Sequence, residues 1–224
     1  MRLKKIASLS ALVATSLLFT GCAAPKRYDY TAFKQSQPKS ILVLPPVNNS
    51  PEVGASYSVL SYATYPLAEA GYYVMPVALV DETFKQNGLT NPPEMHAVAP
   101  AKLVEIFGAD AALYINISKY GVTYTILDSA AVVSADAKLV DLKTGQLLWE
   151  GAATASSAEN RNSNQGGLIG MLVSAVVRQV LNNLNDQSHQ VAGVATQRLL
   201  TGGRTNGMLF GPRSPMFGKD QQQP

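Results

Sequence analysis

The chain is poor in the residues that usually build crosslinks, metal centres and nucleophilic sites. Its 224 residues include one cysteine, two histidines and one tryptophan. Cys22 has no second thiol for an intramolecular disulfide, and His96 and His189 would need carboxylates to complete a metal site. The fold must therefore be held by its core, which a chain with 46% hydrophobic and 15% charged residues can supply.

Common catalytic signatures are missing too. The sequence has no Gly-x-Ser-x-Gly elbow, no phosphate-binding glycine loop, no Gly-x-Gly-x-x-Gly after its first predicted strand and no His-Glu-x-x-His. We therefore expect no catalytic residue, no metal and no dissociable cofactor. A carboxylate pair forms only in space, so an envelope enzyme using carboxylates near Asn48 and Asp110 remains an alternative hypothesis.

No apolar run is long enough to span a bilayer comfortably. Arg2, Lys4 and Lys5 precede an apolar stretch over residues 6–19, whereas a spanning helix needs about 20 residues. A basic start, a short apolar region and small residues after it are typical of a signal peptide. We predict that residues 1–21 form a leader.

The end of the leader resembles the lipobox of bacterial lipoproteins. The recognition residues would be Leu18, Phe19, Thr20 and Gly21, with Cys22 as the lipidated residue. Phe19 stands where leucine is usual. The resemblance implies diacylglycerol and an N-acyl chain on Cys22, hence a membrane-lipid partner. The alternative is an ordinary secretory leader whose cysteine is incidental.

Positive charge is not in excess once the leader is removed. Of 18 basic residues three lie in the leader, which leaves 15 against 15 acidic residues. This balance argues against nucleic acid as a partner.

Both ends of the mature chain lack apolar periodicity. Residues 22–40 are predicted to be a lipidated tether, able to stretch to about 60 Å, and its basic residues either favour anionic headgroups or only solvate a linker. Residues 201–224 are predicted to be a flexible tail rich in glycine and proline. Phe210 and Phe217 in that tail are candidate partner contacts, and packing back onto the domain is the alternative.

The first half of the domain, which spans residues 41–200, reads as a parallel β-α-β unit. Its strands are predicted over residues 41–44 and 72–77, with a helix over 57–70 between them. Ser56 is the expected N-cap of that helix, and Gly71 follows its end.

Further helices are predicted after this unit. A short helix over residues 79–86 would carry Asp81 and Glu82 in its first turn, and a second helix over 100–107 would follow a loop over 87–99.

Alternating apolar residues over 111–119 predict a half-buried strand, and from residue 122 onward the chain reads as an antiparallel meander. Apolar residues of the meander alternate over 122–126, over 131–139, and over 147–153, where Leu147, Trp149, Gly151 and Ala153 would share a face. Gly145 suits the turn between the last two strands. The predicted fold class is therefore α/β, a mixed sheet with a parallel first half, an antiparallel second half and helices packed on it.

Two helices are predicted to close the domain, over residues 168–184 and 191–200. The nearly unbroken apolar stretch 168–177 fits either a core helix or a helix that associates with other helices or inserts into a membrane. An oligomeric ring or envelope channel that uses residues 168–184 as its contact is a further hypothesis.

Asn48, Asn49 and Ser50 are the candidate ligand or partner site of the domain. They follow the carboxyl end of the first parallel strand, where open α/β sheets tend to bind ligands. The alternative is a structural turn built from Asx hydrogen bonds.

Several stretches resemble an uncharacterised bacterial lipoprotein family first noted as a meningococcal vaccine-candidate antigen. They are the runs ILVLPPVNNS, PLAEAGYYVMP, FGAD, LVDLKTG and FGPRSP, beginning at residues 41, 66, 107, 139 and 210. The chain is also distantly similar to periplasmic domains of the curli secretion lipoprotein, of penicillin-binding-protein activator lipoproteins and of the Tol translocation protein.

The resemblance implies an outer-membrane-anchored module that binds other envelope proteins, with secretion or surface assembly as possible contexts. It carries over no catalytic residue. Ala23 is not the aspartate that retains enteric lipoproteins in the inner membrane, which favours an outer-membrane location with the domain facing the periplasm.

Overall fold

A computed structural model describes residues 28–124, 129–159 and 184–220. Its helices are α1 (Thr31–Ser36), α2 (Ala55–Glu69), α3 (Val77–Gln86), α4 (Pro92–His96), α5 (Pro100–Phe107) and α6 (Leu184–Leu200). Its strands are β1 (Ser40–Val43), β2 (Val47–Asn48), β3 (Tyr73–Val74), β4 (Ala111–Tyr124), β5 (Ser129–Asp141) and β6 (Leu147–Ser156).

The described strands form one mixed sheet in the order β3-β1-β4-β5-β6, with β2 beside β4. β1 runs parallel to β3 and to β4, whereas β4, β5 and β6 are antiparallel neighbours. The predicted α/β class, with a parallel first half and an antiparallel second half, is therefore confirmed.

Apolar side chains fill both faces of the sheet at its parallel end. On one face α2 and α6 pack against a cluster that includes Ile41, Leu113 and Trp149. On the other face Leu42 and Leu44 pack against side chains of α3, α4 and α5. Because neighbouring strand residues point to opposite faces, the unbroken apolar run of β1 is what a doubly covered strand requires.

The ends of α2 differ in part from the prediction. Gly54, not Ser56, is the N-cap, and the Ser56 hydroxyl donates instead to the Pro46 carbonyl at 2.8 Å. A serine side chain bonded to a neighbouring loop cannot cap its own helix. Gly71 follows the helix with φ +94°, as its predicted place after the helix end requires.

The segment after β3 becomes helical earlier than predicted. β3 ends at Val74 and α3 begins at Val77, so Asp81 and Glu82 lie beyond the first helical turn. Asp81 pairs with Lys85 one turn later, at 2.7 Å. The prediction that both acids lie in the first helical turn is therefore wrong. Asp81 instead forms an ion pair between positions i and i+4 of the helix.

The loop predicted over residues 87–99 contains the short helix α4. The Asn91 side chain caps it by accepting from the Glu94 N–H at 3.1 Å, and Pro92 begins it. A proline in the first turn is compatible with a helix, because the N–H that proline lacks would have no partner there. Helix α5 begins at Pro100 and ends before Gly108, as predicted.

The antiparallel strands are longer than predicted and carry irregularities. β4 is continuous from Ala111 to Tyr124, with a register shift between Ile117 and Lys119. A second shift lies opposite Leu139 and Val140, so Leu148 is buried and Leu147 is 39% exposed. Leu147 therefore does not share the buried face of Trp149, because the extra residue reverses the alternation.

Helix α6 includes residues that were predicted to form a loop. Residues 185–190 are helical and continuous with 191–200, and Ser188 is buried among them. Tertiary burial here outweighs the weak helix propensity of asparagine, aspartate and serine. The predicted loop over 158–167 lies largely, and the predicted helix over 168–184 almost wholly, outside the described residues.

Both terminal segments pack onto the domain. Residues 28–40, expected as tether, contain α1 with Phe33 buried, and residues 201–220, expected as a flexible tail, contain the buried Met208 and Leu209. For the described parts, the prediction of flexible segments is therefore wrong. The tail instead packs back onto the domain, which was the alternative prediction. Among the residues described, no helix is long and apolar enough to cross a membrane.

Candidate functional site

The two terminal segments meet at the amino end of the parallel strands. α1 precedes β1, and Gly71 precedes β3. The tail reaches the same end, because the Gly211 N–H donates to the Ala70 carbonyl at 2.7 Å and the Arg213 N–H to the Gly71 carbonyl at 3.1 Å. The first and last parts of the described chain thus form one surface.

Three aromatic side chains bind the tail through its backbone carbonyls. Trp149 Nε1 donates to Asn206 at 3.0 Å, the Tyr30 hydroxyl to Gly207 at 2.5 Å, and the Tyr72 hydroxyl to Leu209 at 2.6 Å. Burial is the main cause that raises the pKa of Tyr30 to about 12, and it raises the pKa of Tyr72 further still. Both phenols are therefore neutral donors at physiological pH.

A cavity of about 330 Å³, the terminal pocket, lies between α1 and the tail. Its walls are mostly aromatic and aliphatic, with Lys34 and Asp220 as charged members. The apolar and aromatic lining residues are Phe33, Pro38, Tyr72, Leu209, Phe210, Pro212 and Phe217.

The structure brings the predicted contacts Phe210 and Phe217 together in the terminal pocket. Phe210 is partly buried, whereas Phe217 is 41% exposed at the surface. An apolar pocket that has one lysine and one aspartate among its lining residues suits a mainly apolar partner with a few polar groups.

A second cavity, the polar cleft, has a volume of about 450 Å³ and lies between α2, α6 and β4. The Tyr120 hydroxyl donates to Ser58 Oγ at 2.8 Å, and Ser58 Oγ is 2.7 Å from His189 Nδ1, in a bond whose direction depends on the imidazole tautomer. Sequence reasoning missed this cluster, since Ser58 and His189 are 131 residues apart and no local motif joins them.

The polar cleft differs from a hydrolytic site in two ways. Ser58 lies inside α2 with its N–H donated to the Gly54 carbonyl, so that N–H is not available to stabilise an oxyanion. Within the described segments, no carboxylate is hydrogen-bonded to His189. The cluster joins α2, α6 and β4 and buries Ser58.

The predicted site at Asn48, Asn49 and Ser50 is an Asx-type turn. Asn48 Oδ1 accepts from the Ser50 N–H at 2.9 Å and from the Ser50 hydroxyl at 2.7 Å. Asn49 donates to Asn116, which donates in turn to Asp136. These side chains are engaged within the protein, so the geometry fits the structural turn.

The carboxylate proposed for an enzymatic role, Asp110, is held ionised. Burial alone would raise its pKa, but donation from the Lys39 N–H and from the hydroxyl and N–H of Ser40, with the charge of Lys143, lowers the pKa overall. The Asp110 carboxylate therefore fixes the start of β1 and is poorly suited to act as a general acid.

His96 is similarly occupied. Its Nε2 donates to the Pro45 carbonyl at 2.9 Å, and its ring meets Tyr114 edge-on. Burial lowers the pKa of His96, which favours the neutral ring. Over residues 28–124, 129–159 and 184–220, no group of three or more His, Cys, Asp or Glu side chains could hold a metal ion.

The predicted anchor lies outside the described residues. This applies to Cys22 and to the recognition residues Leu18, Phe19, Thr20 and Gly21. Tyr28, six residues after Cys22, is the first described residue, and its N–H donates to Asn206 Oδ1 at 2.9 Å.

Comparison with known proteins gives a clear relationship. Residues 28–213 match the model of a family described as "Putative lipoprotein GNA1162-like". The "Putative lipoprotein NMB1124/NMB1162" of Neisseria meningitidis is 51% identical over 203 residues, which cover 90% of this chain and 94% of that protein.

Two solved structures illustrate the range of similarity. The crystal structure of lipoprotein GNA1162 from Neisseria meningitidis shares 55% identity and a TM-score of 0.53, covering 65% of this chain and all of that one. The C-terminal domain of LpoB from Salmonella enterica matches at 19% identity and a TM-score of 0.32, over 64% of this chain and 92% of that one, and no functional conclusion follows from it. On the family match and the 51% identical relative, the chain belongs to the GNA1162-like lipoprotein family.

Proposed function

We propose that the protein is a non-catalytic binding module of the cell envelope, anchored in the outer membrane by acyl chains on Cys22 and facing the periplasm. The observation that supports this proposal is Cys22 itself, which directly follows the predicted leader in a chain that belongs to a lipoprotein family. The partners are other envelope proteins, with secretion or surface assembly as the context.

The described side chains support a non-catalytic role. Asp110 and Asp141 have pKa values below the ordinary carboxyl range, because the hydrogen bonds they accept outweigh the effect of burial. Ser58 lies inside a helix, and its Oγ is hydrogen-bonded to Tyr120 and His189. These groups stabilise the fold, whereas a general acid or base needs a pKa near the working pH.

Metabolic labelling with a fatty acid tests the anchor. We expect label in the wild type and in Ser16→Ala, which alters the leader but keeps the cysteine, and no label in Cys22→Ala. Equal labelling of wild type and Cys22→Ala would contradict the proposal.

Membrane fractionation tests the destination. In an enteric host, the wild type is expected in outer-membrane fractions and Ala23→Asp in inner-membrane fractions. A wild type that remains in inner-membrane fractions would contradict outer-membrane anchoring while leaving lipidation intact.

An activity-based probe tests the absence of nucleophilic catalysis. We expect no reaction of the folded protein with a fluorophosphonate, and no difference between wild type and Ser58→Ala. Labelling that depends on Ser58 would favour the enzyme hypothesis instead.

A further inference from the structure

We propose that the surface formed by the two terminal segments, the terminal face, lies directly against anionic lipid headgroups. The terminal face comprises residues 28–40 and 201–220, including the terminal pocket. This inference rests on the proposed acylation of Cys22 and adds an orientation of the domain and a second lipid contact.

The first argument is the length of chain between the anchor and the domain. Residue 28 is held by the hydrogen bond from its N–H to Asn206 Oδ1. Six residue steps separate Cys22 from Tyr28, and even a fully extended chain covers only about 20 Å over that distance. The terminal face must therefore stay within about one domain radius of the bilayer surface.

The second argument is an asymmetry of charge along the sequence. Residues 23–40 and 201–220 hold seven basic and two acidic residues, whereas residues 41–200 hold eight basic and 13 acidic residues. The mature chain is neutral as a whole, but its excess of positive charge belongs to the segments beside the anchor. Basic residues near an anionic membrane surface each contribute about 1 kcal/mol to binding.

The local contacts leave this positive charge available. Asp29 accepts from the backbone and side chain of Thr31, and Asp220 accepts from the Phe210 N–H. Lys34 and Lys219 form no ion pair with any described residue. Three acidic residues outside these segments lie against them, because Glu150 is beside Tyr28, Asp110 accepts from Lys39 and Ser40, and Asp141 accepts from Ser36. With Lys143 at 3.6 Å from Asp110, these neighbours reduce the excess by two charges.

The third argument is the aromatic character of the terminal face. The rings of Tyr28 and Tyr30 are in tilted contact, with their centroids 5.0 Å apart, and Phe217 is 41% exposed at the mouth of the terminal pocket. Aromatic rings beside basic side chains are typical of surfaces at the membrane interface. A lipid surface supplies anionic headgroups for the basic side chains of the terminal face and an apolar interface for its aromatic rings.

Spin labelling can test the orientation in the acylated full-length mature protein. Because Cys22 is blocked by acylation, Phe217→Cys and Leu79→Cys each introduce one free thiol for a nitroxide. Leu79 is 65% exposed on α3, which begins beyond the carboxyl end of β3, so it lies at the opposite end of the parallel strands. Mass spectrometry first establishes acylation, and vesicles of phosphatidylcholine with or without phosphatidylglycerol then receive the protein.

We expect a severalfold lower accessibility of the 217 label than of the 79 label to a water-soluble nickel complex, with stronger shielding in vesicles that contain phosphatidylglycerol. Lys34→Ala with Lys219→Ala should reduce the shielding, whereas the matched exposed pair Lys119→Ala with Lys138→Ala should not.

Equal accessibility at both positions in acylated protein would overturn this inference and leave the lipid anchor intact. Shielding that disappears when the protein is diluted in the membrane would also overturn it. In that case a second copy of the protein, and not lipid, would shield the label. Absence of acyl chains in the mass spectrum would instead overturn the proposed function.

Discussion

Asp141 is the residue at which α1 and the β5–β6 turn are joined. Its carboxylate accepts from the Ser36 hydroxyl at 2.5 Å, from the Lys143 N–H at 2.9 Å and from the N–H and hydroxyl of Thr144. Burial would raise the Asp141 pKa, but these donors lower it overall. An ionised carboxylate is therefore part of the native turn.

We expect Asp141→Asn to lower the free energy of unfolding by about 1.5–3 kcal/mol, because an amide accepts fewer of these hydrogen bonds. Since the native pKa is depressed, the stabilisation is present above the unfolded aspartate pKa of about 3.9 and is lost as pH falls through the native pKa. Urea unfolding from about pH 6 to pH 2 should show a shallower loss in the variant. Glu94→Gln, at an exposed position, is the control, and identical pH profiles for Asp141→Asn and wild type would contradict the prediction.

Gly71 combines a backbone requirement with a close approach. Its φ is +94°, and a Cβ added there would overlap the backbone nitrogen of Ser214. We expect Gly71→Ala to cost about 1–2 kcal/mol through its backbone and about 1–3 kcal/mol more through steric overlap.

The control for Gly71→Ala is Gly88→Ala. Gly88 has a φ of +83°, but a Cβ added there would have nothing within 4 Å, so only the backbone cost applies. Thermal unfolding that shows equal losses for the two variants would mean that the tail does not approach Gly71 as described.

At the scale of elements, the tail acts as a covering segment of the core. Met208 is fully buried and Leu209 nearly so, and the backbone around them accepts from Trp149, Tyr30 and Tyr72. Loss of this segment would leave three aromatic donors without their carbonyl partners. The loss of stability would therefore exceed the part that comes from exposing apolar surface.

We expect Met208→Ala to lower the free energy of unfolding by about 2–5 kcal/mol, because the site is buried. Phe217→Ala should change it by about 0.5 kcal/mol or less, because the ring is 41% exposed. Urea denaturation of both variants, with a chain that ends at Gly203, provides the comparison. A free energy of unfolding that is unchanged by this truncation would contradict a structural role for the tail.

The elements also show which local signals were sufficient. Period-two alternation found β4, β5 and β6, and Gly145 with φ +73° occupies the predicted turn. Helix α4 was not predicted, because its prolines are compatible both with a loop and with a first helical turn. The shift beside Leu147 could not be predicted, since register is set by pairing with another strand.

On the scale of the whole molecule, the parallel strands have two ends with different roles. Both terminal segments lie at the amino end, whereas Asn48, Asn49 and Ser50 follow β1 at the carboxyl end. The proposed orientation puts the terminal face against the membrane and the carboxyl end of the parallel strands away from it.

Separating the domain from its anchor should change orientation without changing stability. Insertion of about 20 Gly/Ser residues between Arg27 and Tyr28 adds a mean span of about 25 Å. We expect an unchanged melting temperature and a lower shielding of the 217 nitroxide in anionic vesicles. Full shielding with the insert would indicate that lipid binding by the terminal face alone is enough, and a lower melting temperature would show that the junction contributes to the fold.

The sequence by itself determined the fold class and the predictions of a leader, a neutral mature chain and an anchor at Cys22, because alternation, composition and a leader pattern are local properties. Only the tertiary structure decided that residues 28–40 and 201–220 pack together, and that Ser58 meets His189. Those contacts join residues as far apart as Tyr28 and Asn206, separated by 178 positions. Packing energy depends on which surfaces meet in space, so a segment whose sequence predicts flexibility can be buried in the folded protein.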